Sequence, residues 1–233
     1  NMRRDFSSNV SHEMKTPLQV ISGYAELMKN DMVQPSDRQK FAALIYDEAQ
    51  TMRSLINDVL TLSKLDESAF ENDGATAINL YAVAQRVAGR LSSFADDQGV
   101  RVRVEGASAC IAGSETLAEE MLYNLIENGI RYNHEGGLVT MKVGSECVEG
   151  GLANAAYQTV VRVSDTGPGI PAELHDKVFE RFFRVDKSRS KETGGTGLGL
   201  AIVKHAVMYH GGVIEVESAE GQGTTFVLRF PSA

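Results

Sequence analysis

At 233 residues the chain is long enough for two modest domains, each able to close its own apolar core. A formal net charge of −8 excludes the uniformly basic face that neutralises a nucleic-acid backbone, so no nucleic-acid partner is expected. Cys110 and Cys147 lack the spacing of a metal site or disulfide framework and read as reduced thiols, and His12, His134, His175, His205 and His210 stand singly, outside any metal-ligand pattern. No run approaches the roughly 20 apolar residues that span a bilayer. The opening Asn1-Met2-Arg3-Arg4-Asp5 is not a signal peptide, so the piece is expected to be soluble and cut from a longer chain.

Phe6, Val10, Glu13, Pro17, Val20, Tyr24 and Leu27 recur at alternating spacings of four and three, with Met14, Leu18, Ile21, Ala25 and Met28 in a second stripe beside them. This predicts a helix over 6–27 with a wide apolar face. After a break at 30–35, with Ser36 or Asp37 as N-cap, Phe41, Ile45, Glu48, Met52, Leu55, Val59 and Leu62 carry the same spacing on a second long helix. A helical hairpin alone cannot hide such stripes, whereas two copies packed as a symmetric four-helix bundle can, so a homodimer is expected through this segment.

The heptad pattern stops where residues turn polar and small, and the linker is placed at 69–76, between a helical domain over 1–68 and a second domain over 77–233. The second domain reads as a helix over 80–98, an alternating strand over 100–104 and a helix over 114–132. Strands follow near 137–143, 159–164, 212–218 and 224–230, with a helix over 198–209. Strands and helices in mixed order predict an α/β sandwich with helices on one face of a sheet, making the whole chain α+β.

His12 lies in Ser11-His12-Glu13-Met14-Lys15-Thr16-Pro17-Leu18 and falls with Thr16, Gln19, Gly23 and Glu26 on the polar side of its helix. Taken alone, it is a solvated helix residue; its neighbours give it chemistry. Glu13 adjoins it and is placed to fix the ring tautomer, raise the nucleophilicity of the other nitrogen and act as general base. Thr16 is one turn away on the same face, where its hydroxyl can orient a water. Pro17 cannot donate to the Glu13 carbonyl, which predicts a bend just below the histidine.

Further on, Asn124 and Asn128 stand four apart on one helix face, amides suited to phosphate oxygens and a hydrated magnesium ion, although paired surface amides are as common. The strand over 159–164 runs into Asp165-Thr166-Gly167-Pro168-Gly169, which fixes a carboxylate at a strand end beside glycines that admit close backbone approach. Asp165 suits the exocyclic amine of adenine. Gly195-Thr196-Gly197-Leu198-Gly199 opens onto a helix, where free amides and the helix dipole favour phosphate.

The segment around His12 resembles the H-box of the HisKA class of sensor histidine kinases and matches its pattern throughout. The ordered set of asparagine helix, Asp-x-Gly-x-Gly, Phe-rich segment, Gly-x-Gly-x-Gly and Gly221-Gln222-Gly223-Thr224-Thr225-Phe226 is similar to the Bergerat ATP-binding fold of histidine kinases, Hsp90-type chaperones, type II topoisomerases and mismatch-repair ATPases. The resemblance covers about residues 5 to 231. It implies ATP and Mg2+ as ligands, His12 as phosphoacceptor, Glu13 as base and Thr16 as the residue of the reverse, phosphatase reaction. It implies that Asn128 binds magnesium, Asn124 organises phosphates, Arg131 reaches a phosphate and Tyr132 lines the base pocket. Asp165 then reads adenine with Thr225 beside it, with Gly167, Gly169, Gly195, Gly197, Leu198 and Gly199 forming the cradle. Residues 179–193 resemble the F-box and ATP lid, polar enough to move without nucleotide, and Arg184 is the candidate for stabilising transferring phosphate charge. Gly129 stands where the family usually has alanine, and Arg131 where it often has lysine. The first departure loosens the helix, and the second keeps the charge.

In ATPases of this fold a glutamate four residues before the magnesium asparagine activates water, whereas this chain has Asn124. That favours a kinase, phosphorylating His12 and passing the phosphoryl group to a response-regulator receiver domain, over a hydrolase. The competing readings are a nucleotide-binding dimeric scaffold and a phosphatase-dominant homologue. The run from Arg181 to Arg189 and the glycine loop look most like membrane sensors of the phosphate-sensing or cell-wall-sensing type. A cytoplasmic location, with membrane contact only through an upstream region, is implied.

Overall fold

The computed structural model describes residues 2–67, 76–148, 156–185 and 195–232. Helices α1 (Met2–Lys29) and α2 (Arg38–Glu67) form the expected hairpin, joined through a short 3-10 turn at Pro35–Asp37. The turn is held by buried Val33, by an Arg38–Asp31 ion pair at 2.7 Å and by Tyr24 meeting Phe41 edge-on at 5.1 Å. Helix α1 runs on through Pro17 as one element. The predicted stripes face inward at Pro17, Leu55 and Leu62, and His12 and Thr16 lie exposed on the opposite side as the heptad count requires. Much apolar surface stays uncovered, however: Leu18 is 51% exposed, Tyr46 63% and Leu60 54%.

Beyond the hairpin, β1 (Thr76–Asn79) leads into α3 (Leu80–Arg90), whose first turn is capped by Asn79 Oδ1 accepting from the Tyr81 and Ala82 amides. The single helix expected over 80–98 is two, because the chain leaves helical geometry at Leu91 before α4 (Ser92–Asp97). The reason is local: Ser92 Oγ donates to the Gly89 carbonyl at 2.9 Å, competing with the helical ladder just after a glycine. Strand β1 pairs antiparallel with β3 (Cys110–Gly113), a small ribbon too short to read from alternation.

The main sheet has the order β2-β4-β5-β7-β6, formed by β2 (Arg101–Gly106), β4 (Leu138–Val148), β5 (Ala156–Asp165), β6 (Val213–Ser218) and β7 (Thr224–Pro231). Only the β2–β4 pair is parallel. Helices α3, α5 (Glu115–Arg131) and α6 (Gly199–Tyr209) cover one face, burying Met121, Leu125, Ile126, Val203 and Val207 against Met141, Val161, Leu228 and Phe230. On the opposite face the register sets Arg162 against Val227 and Arg229 against Val160, so arginine stems neighbour the two buried valines while their heads pair with Glu146 and Glu215.

His210, just after α6, ties the helical layer together. Its Nδ1 lies 2.7 Å from the Ala206 carbonyl and so carries the proton, which leaves Nε2 to accept from the Ser114 amide at 3.2 Å, the cap of α5. Burial lowers its pKa from 6.5, against the opposing pull of the Ala206 carbonyl and of the Ser114 carbonyl, which lies 3.2 Å from Nε2. The unfolded chain therefore protonates first, and this contribution is intact above about pH 6.5 and lost as pH falls below it. In urea titrations, wild type should lose stability relative to His210→Gln between about pH 7.5 and 5.5; a constant difference would remove this role.

Candidate active site

One end of the candidate site is built by the termini of β5 and β7. Asp165 Oδ1 accepts from the Gly167 amide at 2.8 Å and the Thr224 amide at 3.3 Å, so one oxygen ties two glycine loops together. Burial raises the Asp165 pKa, and the two amide bonds oppose it. Thr225 turns instead to Ser164, donating to its hydroxyl at 2.9 Å. It is Thr224, passed over in the sequence, that contacts Asp165; the Gly-x-Gly-Thr spacing was its signal. Tyr132 follows α5 and is 43% exposed, near enough to the glycine loop that a Cβ at Gly195 would lie 2.9 Å from its hydroxyl.

The other end lies where α5 meets the start of α6. Asn124 is buried, its Nδ2 donating to the Glu120 carbonyl at 2.9 Å, while a Cβ at Gly199 would fall 2.6 Å from its Oδ1. Gly199 is thus the point where the two helices touch. Asn128 is half-buried one turn on. Arg131 pairs with Glu127 at 2.7 Å and lies over the Phe94 ring at 5.5 Å. Gly129, unusual in this motif, faces Val139: a Cβ there would meet its methyls at 3.1 and 3.2 Å, so glycine lets α5 lie close on β4. Among the described residues no His, Cys, Asp and Glu cluster able to hold a metal is present. Asn128 offers one hard amide oxygen, which fits an ion that keeps its waters and arrives on phosphate, and does not fit a preformed protein cage.

The hairpin and the sheet domain meet through an apolar seam in which Leu55, Leu62 and Leu65 of α2 bury against Leu198, Ala201 and Ile202, with Phe6, Met14 and Phe182 at its edge. Phe6 packs on Phe182 at 5.9 Å, and the Arg181 guanidinium lies over the Phe6 ring at 5.0 Å. Polar contacts also cross the seam. Arg184 pairs with Glu13 at 3.2 Å, beside exposed His12, and Thr196 Oγ1 donates to Asp58 at 2.7 Å. Sequence motifs mark Arg184 and Glu13 separately, whereas Asp58 lies off the heptad stripe and no local pattern marks it. Of the segment over 179–193 expected as F-box and lid, residues 186–193 lie outside the described residues.

Gly223 occupies a left-handed conformation, φ +80°, with any Cβ 2.1 Å from the Asp165 carbonyl oxygen, whereas Gly221, φ +74°, faces open space. Gly223→Ala should therefore lower stability in urea by about 3 kcal/mol and Gly221→Ala by about 1. Equal losses would show that the crowding at Asp165 is relieved at no cost.

Residues 113–233 match the family described as histidine kinase-, DNA gyrase B- and HSP90-like ATPases, and residues 2–68 match the His Kinase A (phospho-acceptor) domain. The sensor-like histidine kinase SenX3 of Mycobacterium tuberculosis is 35% identical over 231 residues, covering 99% of this chain and 54% of that protein. The phosphate regulon sensor protein PhoR of Pseudomonas aeruginosa is 33% identical, covering 100% of this chain and 51% of its own length. The chain spans about half the length of these relatives. Among solved structures, full-length ShkA in complex with AMPPNP superposes with a TM-score of 0.67 at 28% identity, over 97% of this chain and 45% of that one.

Proposed function

Because this chain belongs to the sensor histidine kinases, with a phospho-acceptor hairpin ahead of an ATP-binding domain, we propose that it phosphorylates His12 from ATP and passes the phosphoryl group to an aspartate of a response-regulator receiver domain. The observation that carries this is the Arg184–Glu13 pair at 3.2 Å: the cation from the Phe-rich segment of the ATP-binding domain lies against the acid beside the acceptor histidine. A pure ATPase has no use for that contact, and a scaffold has no use for an exposed imidazole next to it.

In this reading the division into a hairpin over 1–68, a linker over 69–76 and a catalytic domain over 77–233 separates acceptor from donor. Asp165 and the glycine loops over 167–169 and 195–199 hold ATP, with Tyr132 and Thr225 at the base end. Asn124, Asn128 and Arg131 serve the phosphates. Magnesium, when bound with the nucleotide, supplies neutralisation of phosphate charge, with Asn128 Oδ1 as its protein ligand. The His12 ring nitrogen attacks the γ-phosphorus, the bond to the β,γ-bridging oxygen breaks and ADP leaves. Glu13 takes the imidazole proton, and Arg184 stabilises charge on the transferring group. Thr16, exposed one turn from His12, orients water for dephosphorylation of the partner. The uncovered apolar residues Leu18, Ile56 and Leu60 support a homodimer formed through the hairpin. Relatives that are sensor proteins of twice this length support a cytoplasmic segment carried by an upstream membrane region.

His12→Ala should bind ATP as wild type does and take up no label from γ-labelled ATP, and wild-type label should be lost in acid; label retained on the variant would refute the assignment. Thr16→Ala should keep autophosphorylation within about threefold and slow dephosphorylation of the receiver by at least about tenfold. Equal dephosphorylation rates would remove Thr16 from that step.

A further inference from the structure

The Thr196–Asp58 bond joins two halves that the proposed chemistry uses separately. Asp58 belongs to the hairpin, yet its carboxylate takes the hydroxyl of a residue between two glycines of the phosphate loop, at 2.7 Å. Thr196 Oγ1 in turn accepts from the Leu198 amide at 3.2 Å, one residue before α6 begins. A loop of this kind offers its donors to anionic oxygen. Here the anionic oxygen is supplied by the protein. Across the same seam, Glu13 does the same to Arg184. Two hairpin carboxylates thus hold two groups that transferring phosphate calls upon.

We propose that Asp58 is an internal anion seated in the phosphate loop, so that Asp58 and nucleotide phosphate exclude one another at Thr196 and nucleotide entry frees the loop from α2. The inference rests on the kinase reading above, since it takes the glycine loop as the phosphate site.

The surroundings of Asp58 give the contact its direction. On α2 it lies half-buried at the seam, the loop offers Thr196, and Glu120 and Glu127 face it from α5. Burial first, then the two like charges, outweigh the Thr196 bond and hold the carboxyl at about 6 instead of 3.8. The ionised carboxylate therefore opposes the docked arrangement even as apolar packing of Leu55, Leu62 and Ile202 maintains it. Phosphate entering the loop brings more negative charge to the same place, and the seated carboxylate is the group that yields.

The test measures ATP–Mg affinity of the 233-residue chain by calorimetry in wild type, Asp58→Asn, Thr196→Val and the double variant. Asparagine keeps the size and the acceptor and drops the charge, so it should sit in the loop more firmly and weaken ATP binding by about tenfold, a discounted reading of a raised carboxyl pKa. Its urea stability should equal or exceed that of wild type, which sets aside misfolding. With Thr196→Val the Asp58→Asn substitution should change affinity by less than about twofold. Simple removal of negative charge near a phosphate site would tighten binding instead, so an affinity equal to or above wild type overturns the proposal. An equal weakening in both backgrounds overturns it too, because the effect would not pass through Thr196. Wild type that binds no nucleotide would remove the kinase reading itself, and the seated anion with it.

Discussion

The apolar seam between α2 and α6 is the constraint on which every polar contact between the two halves depends. Leu62, Leu198 and Ile202 are fully buried there, and Leu55 and Ala201 nearly so. Burying a leucine or isoleucine side chain contributes about 1.5–3 kcal/mol, whereas a partly exposed ion pair such as Arg184–Glu13 contributes about 0–1. The packing therefore sets where the carboxylates and cations meet, and the ion pair reports the alignment more than it creates it. Because α6 begins at the glycine loop, the same few side chains bring that loop against the hairpin.

Two half-buried aspartates show how one residue type is tuned by its partners. Both Asp165 and Asp58 are pushed toward the neutral form by burial. Asp165 has two backbone amides on one oxygen, fixed by strand ends that cannot move apart without breaking the sheet. It is part of the architecture. Asp58 has one hydroxyl from a glycine-flanked residue and faces Glu120 and Glu127. That contact joins elements that meet through their side chains, with no shared sheet between them among the described residues.

The hairpin was legible because its signal is periodic: the stripe from Phe41 to Leu62 is the stripe that turns inward, and His12 lies exposed as the heptad count places it. The glycine and asparagine motifs were legible because backbone approach and fixed amide spacing restrict which residues serve. Three things were hidden. Strands β1 and β3 have four residues each, too few for alternation to register. The break at Leu91 depends on a serine-to-carbonyl bond that competes locally with a helical pattern otherwise intact. Asp58 acquires its meaning only from Thr196, 138 residues away, and no local pattern encodes such a pairing.

Phe182 is one of the described non-glycine residues held at positive φ, at 63°. A side chain in that region costs about 1–2 kcal/mol, and here the cost is offset where its ring joins the seam beside Phe6 and its amide donates to the Gly197 carbonyl at 2.8 Å. Both compensations come from elsewhere in the molecule: the ring contact from the other half, the amide contact from the glycine loop. Separation of the halves would take away the first and leave the backbone twist half supported. The peptide on either side of Phe182 is then a torsional gauge of contact between hairpin and sheet, readable as a change of backbone conformation at a single position.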